Sequence, residues 1–200
     1  MGRERTRMSK ENHKENCLDC KESIKKMLTA TFGAVEVNWN LNIACRLEDY
    51  KNTNLYEIIE PIYQELQKHR GHNNFVRVKN LRPVDFFIPD QKLIVEFDES
   101  QHFTKPRDIA LSLYPRDSLY GFCIQRWRRL CQELDRHDND PPDRDEQRAW
   151  YDTLRDFAPI CFLGRPTIRL YSRDFVWCSL DEKEESDVQT FKKLIGELDV

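Results

Sequence analysis

Three carboxylates within one twenty-residue stretch carry the strongest chemical signal in the chain. Residues 83–102 read Pro-Val-Asp-Phe-Phe-Ile-Pro-Asp-Gln-Lys-Leu-Ile-Val-Glu-Phe-Asp-Glu-Ser-Gln-His. Two apolar-rich runs flank Asp90-Gln91, which predicts a β-hairpin with a two-residue loop. Such a loop pairs Pro89 with Lys92 and sets Asp85 opposite Glu96. Directly opposed residues share a face, with Cβ atoms about 4.5–5.5 Å apart. Asp98 lies two residues past Glu96 and falls on that face too. The reverse face is apolar: Val84, Phe86 and Ile88 on one run, Leu93, Val95 and Phe97 on the other. It has to pack on a core, and a one-residue slip would bury the acids, so the pattern pins the register.

Like charges opposed across a ladder repel. A divalent cation is the simplest compensation, and arginine or lysine partners are the structural alternative. Carboxylate oxygens suit Mg²⁺ or Mn²⁺, which bridge readily to phosphate. His102, six residues beyond Glu96, brings a group that titrates near neutral pH, although a lone histidine is more often a hydrogen-bonded surface residue. Gln101 and Lys105 are candidates for orienting water or stabilising developing charge.

These residues resemble the PD-(D/E)XK, or restriction-endonuclease-like, nuclease superfamily. The similarity is closest to its very-short-patch-repair-like branch, through Val-Asp-Phe, ten residues, then Glu-Phe-Asp-Glu-Ser-Gln-His. The resemblance implies a core of helix, three antiparallel strands, helix and strand, matched to residues 54–69, 75–78, 83–88, 93–98, 143–157 and 167–171. It implies Asp85 and Glu96 as metal ligands, Mg²⁺ or Mn²⁺ as cofactor, and His102 as the histidine that follows the strand. It also points to Glu57 or Glu60 as an acid from the first core helix, and to Arg148 as an arginine of the helix after the hairpin. Two positions depart from the pattern. Asp98 stands where the motif has lysine, and Glu99 where glycine is usual.

The elements that would position this hairpin can be read from periodicity. Residues 1–15 are charged and aperiodic, which predicts a disordered leader. Residues 16–32 have helical spacing, and Gly33 is a natural stop. Val35, Val37, Trp39, Leu41, Ile43 and Cys45 alternate with polar residues, which predicts a half-buried strand over 35–45. A helix over 54–69 contains Pro61, where a kink or split is expected. Phe75–Val78 predicts a short strand. Helices follow over 118–136 and from about Asp140, with Pro141 and Pro142 in the first turn and Asp140 and Asp143 as a cap pair. A strand over 166–171, a second at 175–178 and a helix over 186–198 complete the chain.

The fold class expected is therefore α/β with a mixed sheet. Its organisation would be a leader (1–15), a helix–strand extension (16–50) and a nuclease-like core (51–200).

Other chemistry-bearing residues have weaker signals. Cys17-Leu-Asp-Cys20 has the spacing of half a zinc site, but no second pair follows, so two cysteines on one helix face is the simpler reading. Arg126, Arg128 and Arg129 surround Trp127 and could track phosphates, or form a solvated helix face. His137-Asp-Asn-Asp140 lacks the glycine and distal glutamate of a calcium loop.

The bulk numbers exclude some classes. No apolar run approaches the ~18 residues of a membrane span. The opening residues lack a signal-peptide core, and seven irregularly spaced cysteines make a poor disulfide framework, so a cytoplasmic setting is expected. A net charge of −3 argues against a globally basic nucleic-acid binder but not against a basic groove beside an acidic site. The expectation is a metal-dependent endonuclease acting on DNA more than RNA, with homodimerisation open. The alternative is a catalytically impaired nuclease-fold protein that binds nucleic acid or protein.

Overall fold

The computed structural model describes residues 15 and 17–196. The leader assigned to 1–15 lies outside these residues except for Glu15, as does Asn16.

The hairpin forms in the expected register. Strands β2 (Val84–Ile88) and β3 (Leu93–Asp98) pair antiparallel, with Ile88 opposite Leu93, Phe87 opposite Ile94 and Phe86 opposite Val95. The turn is longer than the two-residue loop. Pro89–Gln91 form a 3-10 turn and Lys92 closes it at φ 50°, its amide donating to the Pro89 carbonyl. Proline's fixed φ starts a 3-10 turn readily, and the left-handed fourth residue returns the chain to the same register.

Four strands form one mixed sheet in the order β1-β2-β3-β4. Strand β1 (Glu36–Trp39) is the antiparallel edge, and β4 (Ile168–Tyr171) runs parallel to β3. The apolar face of the hairpin packs as its pattern requires. Phe86, Ile88, Leu93, Val95 and Phe97 join Ile168 and Leu170 in a core closed by α1 (Leu18–Phe32) and α6 (Glu185–Gly196). The opposite layer holds α2 (Tyr56–Arg70), α3 (Lys105–Ser112), α4 (Ile124–Leu134) and α5 (Arg144–Leu163), in a second core around Ile59, Phe103, Trp127, Trp150 and Phe157. The fold is thus mixed α and β, with four strands and six α-helices among the described residues. No described helix is long and apolar enough to cross a membrane.

Several elements differ from expectation, each for a visible reason. The alternation over 35–45 yields a strand of only four residues. Asn38, inside the strand, and Asn42, beyond it, adopt positive φ, which asparagine tolerates and which interrupts the extended backbone, and Val37 is exposed. Residues 75–78 form no strand. Their backbone is satisfied by α5 instead, with Gln147 Nε2 donating to the Phe75 carbonyl and the Arg77 amide donating to Tyr151 Oη. The helix expected over 118–136 begins at Ile124, and the separate helix α3 precedes it. Helix α5 starts at Arg144, beyond both prolines; Asp143 sits at its N-cap but makes no capping bond, its carboxylate accepting from Arg77 instead. Pro61 lies inside an uninterrupted α2. Residues 175–178 give a 3-10 turn at Trp177–Ser179 in place of a strand. Residues 16–50 do not form a separable extension, since α1 covers the sheet and β1 extends it.

The sheet meets α5 through charge rather than oil. Arg169 on β4 is 1% exposed and donates to Asp98 Oδ1 at 2.7 Å and Asp156 Oδ1 at 2.6 Å. It also reaches the Asp152 carbonyl at 3.2 Å. Arg107 of α3 takes the other Asp156 oxygen at 2.6 Å, beside Tyr114 Oη. Gly121 runs against this strand so closely that a Cβ there would lie 2.5 Å from the Thr167 carbonyl oxygen. Removing one partner of such a buried network leaves uncompensated charge, at a cost of about 3–5 kcal/mol. Arg169→Ala should therefore lose stability in that range in urea denaturation. A loss below about 1 kcal/mol, the scale of a surface pair, would show that the network is not what docks α5.

Candidate functional site

A cleft of about 720 Å³ opens between the hairpin, the N-terminal end of α5 and the loop at 77–83. It is lined by the cations Lys21, Arg77, Arg82, Arg144, Arg148 and Arg155 and by the acids Asp85, Glu96, Glu99, Asp138 and Asp152. The α5 contribution follows helical spacing. Arg144, Arg148, Asp152 and Arg155 recur at intervals of three and four on one face, while Ala149, Trp150, Leu154 and Phe157 bury the other.

Asp85 and Glu96 both face this cleft, and each has a cationic neighbour. Lys21 Nζ from α1 lies 2.6 Å from Asp85 Oδ1, and Asp85 Oδ2 accepts from the Phe97 amide at 2.9 Å. Arg155 Nε lies 3.0 Å from Glu96 Oε1. The angle there is poor, so both atoms are buried without a hydrogen bond despite the short distance. The pair is a charge contact, and Glu96 Oε1 keeps an unused acceptor. Burial drives the Glu96 pKa up to about 7, with Arg155 opposing and Asp85 adding to the rise.

The third hairpin acid does something else. Asp98 is 2% exposed and is absorbed by the buried network, accepting from Trp127 Nε1 at 2.9 Å and from Arg169. The expected shared face exists, but it is covered by α5, and Asp98 sits behind the cleft rather than in it. Among the described residues, the hairpin carboxylates do not form a group of three ligand atoms close enough to hold one ion.

His102 lines the cleft with its Nδ1 2.9 Å from Asp152 Oδ2 and 3.8 Å from Asp98 Oδ1. Burial pulls its pKa down, but the Asp152 carboxylate beside it more than offsets this and the net shift is upward. Asp152 is also buried, yet His102 and Arg169 hold its carboxyl well below the usual range. With Nδ1 committed, Nε2 is the ring nitrogen left for chemistry.

The remaining expected residues divide clearly. Gln101 and Arg148 line the cleft, with Arg148 donating to the Gln101 carbonyl at 2.9 Å and to Asp138 at 3.1 Å. Glu57 and Glu60 lie on α2 away from it, and Glu60 accepts from Tyr56 Oη. Lys105 is exposed outside the cleft, 3.4 Å from Asp108. Arg126 pairs with Asp174 over the Trp127 ring, Arg128 pairs with Asp108, and Arg129 is exposed on the same helix. The α4 arginines are thus not part of this cleft. Four residues that matter here were missed: Lys21, Asp152, Arg155 and Arg169. The stripe on α5 was visible as periodicity, while Lys21 and Arg169 arrive from distant sequence with no local signal.

The donor set suits an oxygen-liganded cation in kind: two carboxylates, one with an unpartnered buried oxygen. It would require Lys21 to leave Asp85 Oδ1.

Comparison with known proteins adds little. A family of unknown function (DUF7255) matches residues 61–141. That span includes the hairpin, Gln101 and His102 but excludes Lys21, Asp152, Arg155 and Arg169. No curated protein and no solved structure matches.

Two pH effects are expected. The raised His102 pKa means that the folded state favours the imidazolium. That stabilisation is complete below the unfolded value of 6.5 and is lost as pH rises through the folded value. NMR titration should place the His102 midpoint above 6.5 and, in Asp152→Asn, below it; an unchanged midpoint would remove Asp152 as the cause. Glu96 is also raised, so its favourable contribution is complete below about 4.5 and lost through about 7. Without metal, Glu96→Gln should therefore stabilise the protein at pH 8, by at most about 3 kcal/mol, and much less at pH 5. Equal effects at both pH values would contradict the shift.

Proposed function

We propose that this protein is a metal-dependent nuclease of the PD-(D/E)XK kind, hydrolysing phosphodiester bonds in nucleic acid. The observation that carries the reading is the meeting of Asp85, Glu96 and Lys21 in one cleft that five arginines also line. The family motif needs an aspartate, an acid and a lysine. Position 98 lacks the lysine, and Lys21 supplies an ammonium from α1 instead. Element order supports the same reading in a revised form. Helix α1, antiparallel β1, β2 and β3, helix α5 and parallel β4 follow the family's core order, with α2 inserted after β1 and α3 and α4 before α5. The first core helix is then α1, which explains why Glu57 and Glu60 stand apart.

In this mechanism Asp85 and Glu96 would hold Mg²⁺ or Mn²⁺, which would supply charge neutralisation at the scissile phosphate and a lowered pKa for water. Lys21 leaves Asp85 and places its ammonium beside the phosphate, where positive charge favours the transition state. His102 carries a proton on Nε2 for the leaving oxygen, and Asp152 fixes the ring and shifts its pKa upward. Arg82, Arg144 and Arg148 hold the flanking phosphates, so binding weakens steeply with salt. The resemblance, rather than the shape of the cleft, makes DNA the first substrate to test.

One observation favours the other reading, a nucleic-acid-binding module without turnover. Both cleft carboxylates already have cationic partners and are compensated without an ion.

Plasmid and oligonucleotide substrates with Mg²⁺, Mn²⁺ or EDTA distinguish the two. Metal-dependent cutting is expected, falling on the order of 10²-fold or more in Asp85→Asn, Glu96→Gln and Lys21→Ala. Binding without cutting in any metal would establish the module instead, and undiminished cutting by Glu96→Gln would overturn the site.

A further inference from the structure

Seven cysteines are present and none is in a disulfide. Cys45 and Cys131 are buried, Cys123 and Cys161 are exposed, and none of these four belongs to a metal-ligand group among the described residues. The other three converge. The sulfurs of Cys17, Cys20 and Cys178 lie within 4.8 Å of one another, on the side of the sheet away from the cleft-facing α5. Cys17 and Cys20 open α1, at its N-cap and third position, while Cys178 comes from the 3-10 turn after β4. Cys20 is 1% exposed, and Cys17 and Cys178 are half-buried, so the cluster sits at the edge of the core with a route from solvent.

We propose that Cys17, Cys20 and Cys178 bind a thiophilic divalent cation, Zn²⁺, that fastens the start of α1 to the turn after β4. Three considerations carry this. Tetrahedral zinc holds thiolates at about 2.3 Å, which sets sulfurs roughly 3.8 Å apart, so the observed spacing needs only a small contraction. A disulfide would join two of the sulfurs at about 2.05 Å and gives no reason for a third to be gathered. The start of α1 also has no side-chain cap. The positive end of the helix favours anionic sulfur at the N-cap and third positions, whereas burial raises the pKa of the Cys20 and Cys178 thiols, so a bound cation would be what holds them as thiolates. The fourth coordination position is left for water or another donor.

The consequence reaches the cleft. Cys20 adjoins Lys21, whose ammonium rests on Asp85. A cation at the three cysteines fixes the backbone from which Lys21 extends, on the opposite side of β2 and β3 from the phosphate-binding rim. The site stands independently of what the cleft does, and its test does not use activity.

The full chain, purified reduced and without chelator, is measured for metal by inductively coupled plasma mass spectrometry. Its stripped form is titrated with Co²⁺ and followed by absorption. About one zinc per chain is expected, with Co²⁺ giving thiolate charge-transfer and tetrahedral ligand-field bands. Zinc should be lost in Cys178→Ser and retained in Cys123→Ser, in Cys161→Ser and in Asp85→Asn. If Cys178→Ser fails to fold, the Co²⁺ spectrum of the wild-type chain still decides. Neither zinc nor a Co²⁺–thiolate band in the reduced, folded protein would overturn the proposal. So would undiminished zinc in folded Cys178→Ser.

Discussion

A buried guanidinium organises this molecule. Arg169 enters on the parallel strand β4 and binds Asp98 of β3 together with Asp152 and Asp156 of α5. Three carboxylates and two guanidinium groups, Arg107 included, leave one negative charge in excess. A proton on His102 would balance it, and although burial alone would lower its pKa, the Asp152 and Asp98 carboxylates shift it upward. Buried charges are tolerable only when paired and hydrogen-bonded. Here the pairing also fixes the angle at which α5 lies on the sheet. That angle presents Arg148, Asp152 and Arg155 to the hairpin and so creates the cleft.

What the sequence revealed follows from the range of the interactions involved. Hairpin register is a local matter, set by the apolar alternation of Val84–Ile88 and Leu93–Phe97, and it was legible. The apolar stripes of α2 and α5 were legible for the same reason: Ile59, Ile62 and Leu66, and Trp150, Leu154 and Phe157, are all buried. The alternation over 35–45 misled because period two reports side-chain pattern and not backbone. Positive φ at Asn38, within β1, and at Asn42, beyond it, interrupts the extended backbone while leaving the pattern intact. Residues 75–78 misled because the partner that satisfies their backbone is a glutamine and a tyrosine on α5, more than 70 residues away.

The site shows the same division. Asp85, Glu96, Gln101, His102 and Arg148 were found from local pattern and resemblance, and all line one cleft. Asp98 was placed on the correct face but given the wrong task, because nothing near it in sequence announced Arg169 and Trp127. Lys21 was invisible, since it precedes Asp85 by 64 residues. Position 98 holds no lysine, but α1 brings the Lys21 ammonium to Asp85 from the other end of the sequence. In the cleft, Asp85 is paired with Lys21 and Glu96 with Arg155.

The central claim is that Asp85 and Glu96 together receive a divalent cation in this cleft. Titration of the isotopically labelled protein with Mn²⁺, read by paramagnetic broadening of backbone amides, tests it without requiring a substrate. The account expects broadening that begins at residues 85, 96 and 97 and weakens in Asp85→Asn. Broadening confined to exposed acids such as those at 181–185, with the hairpin amides unaffected, would contradict it.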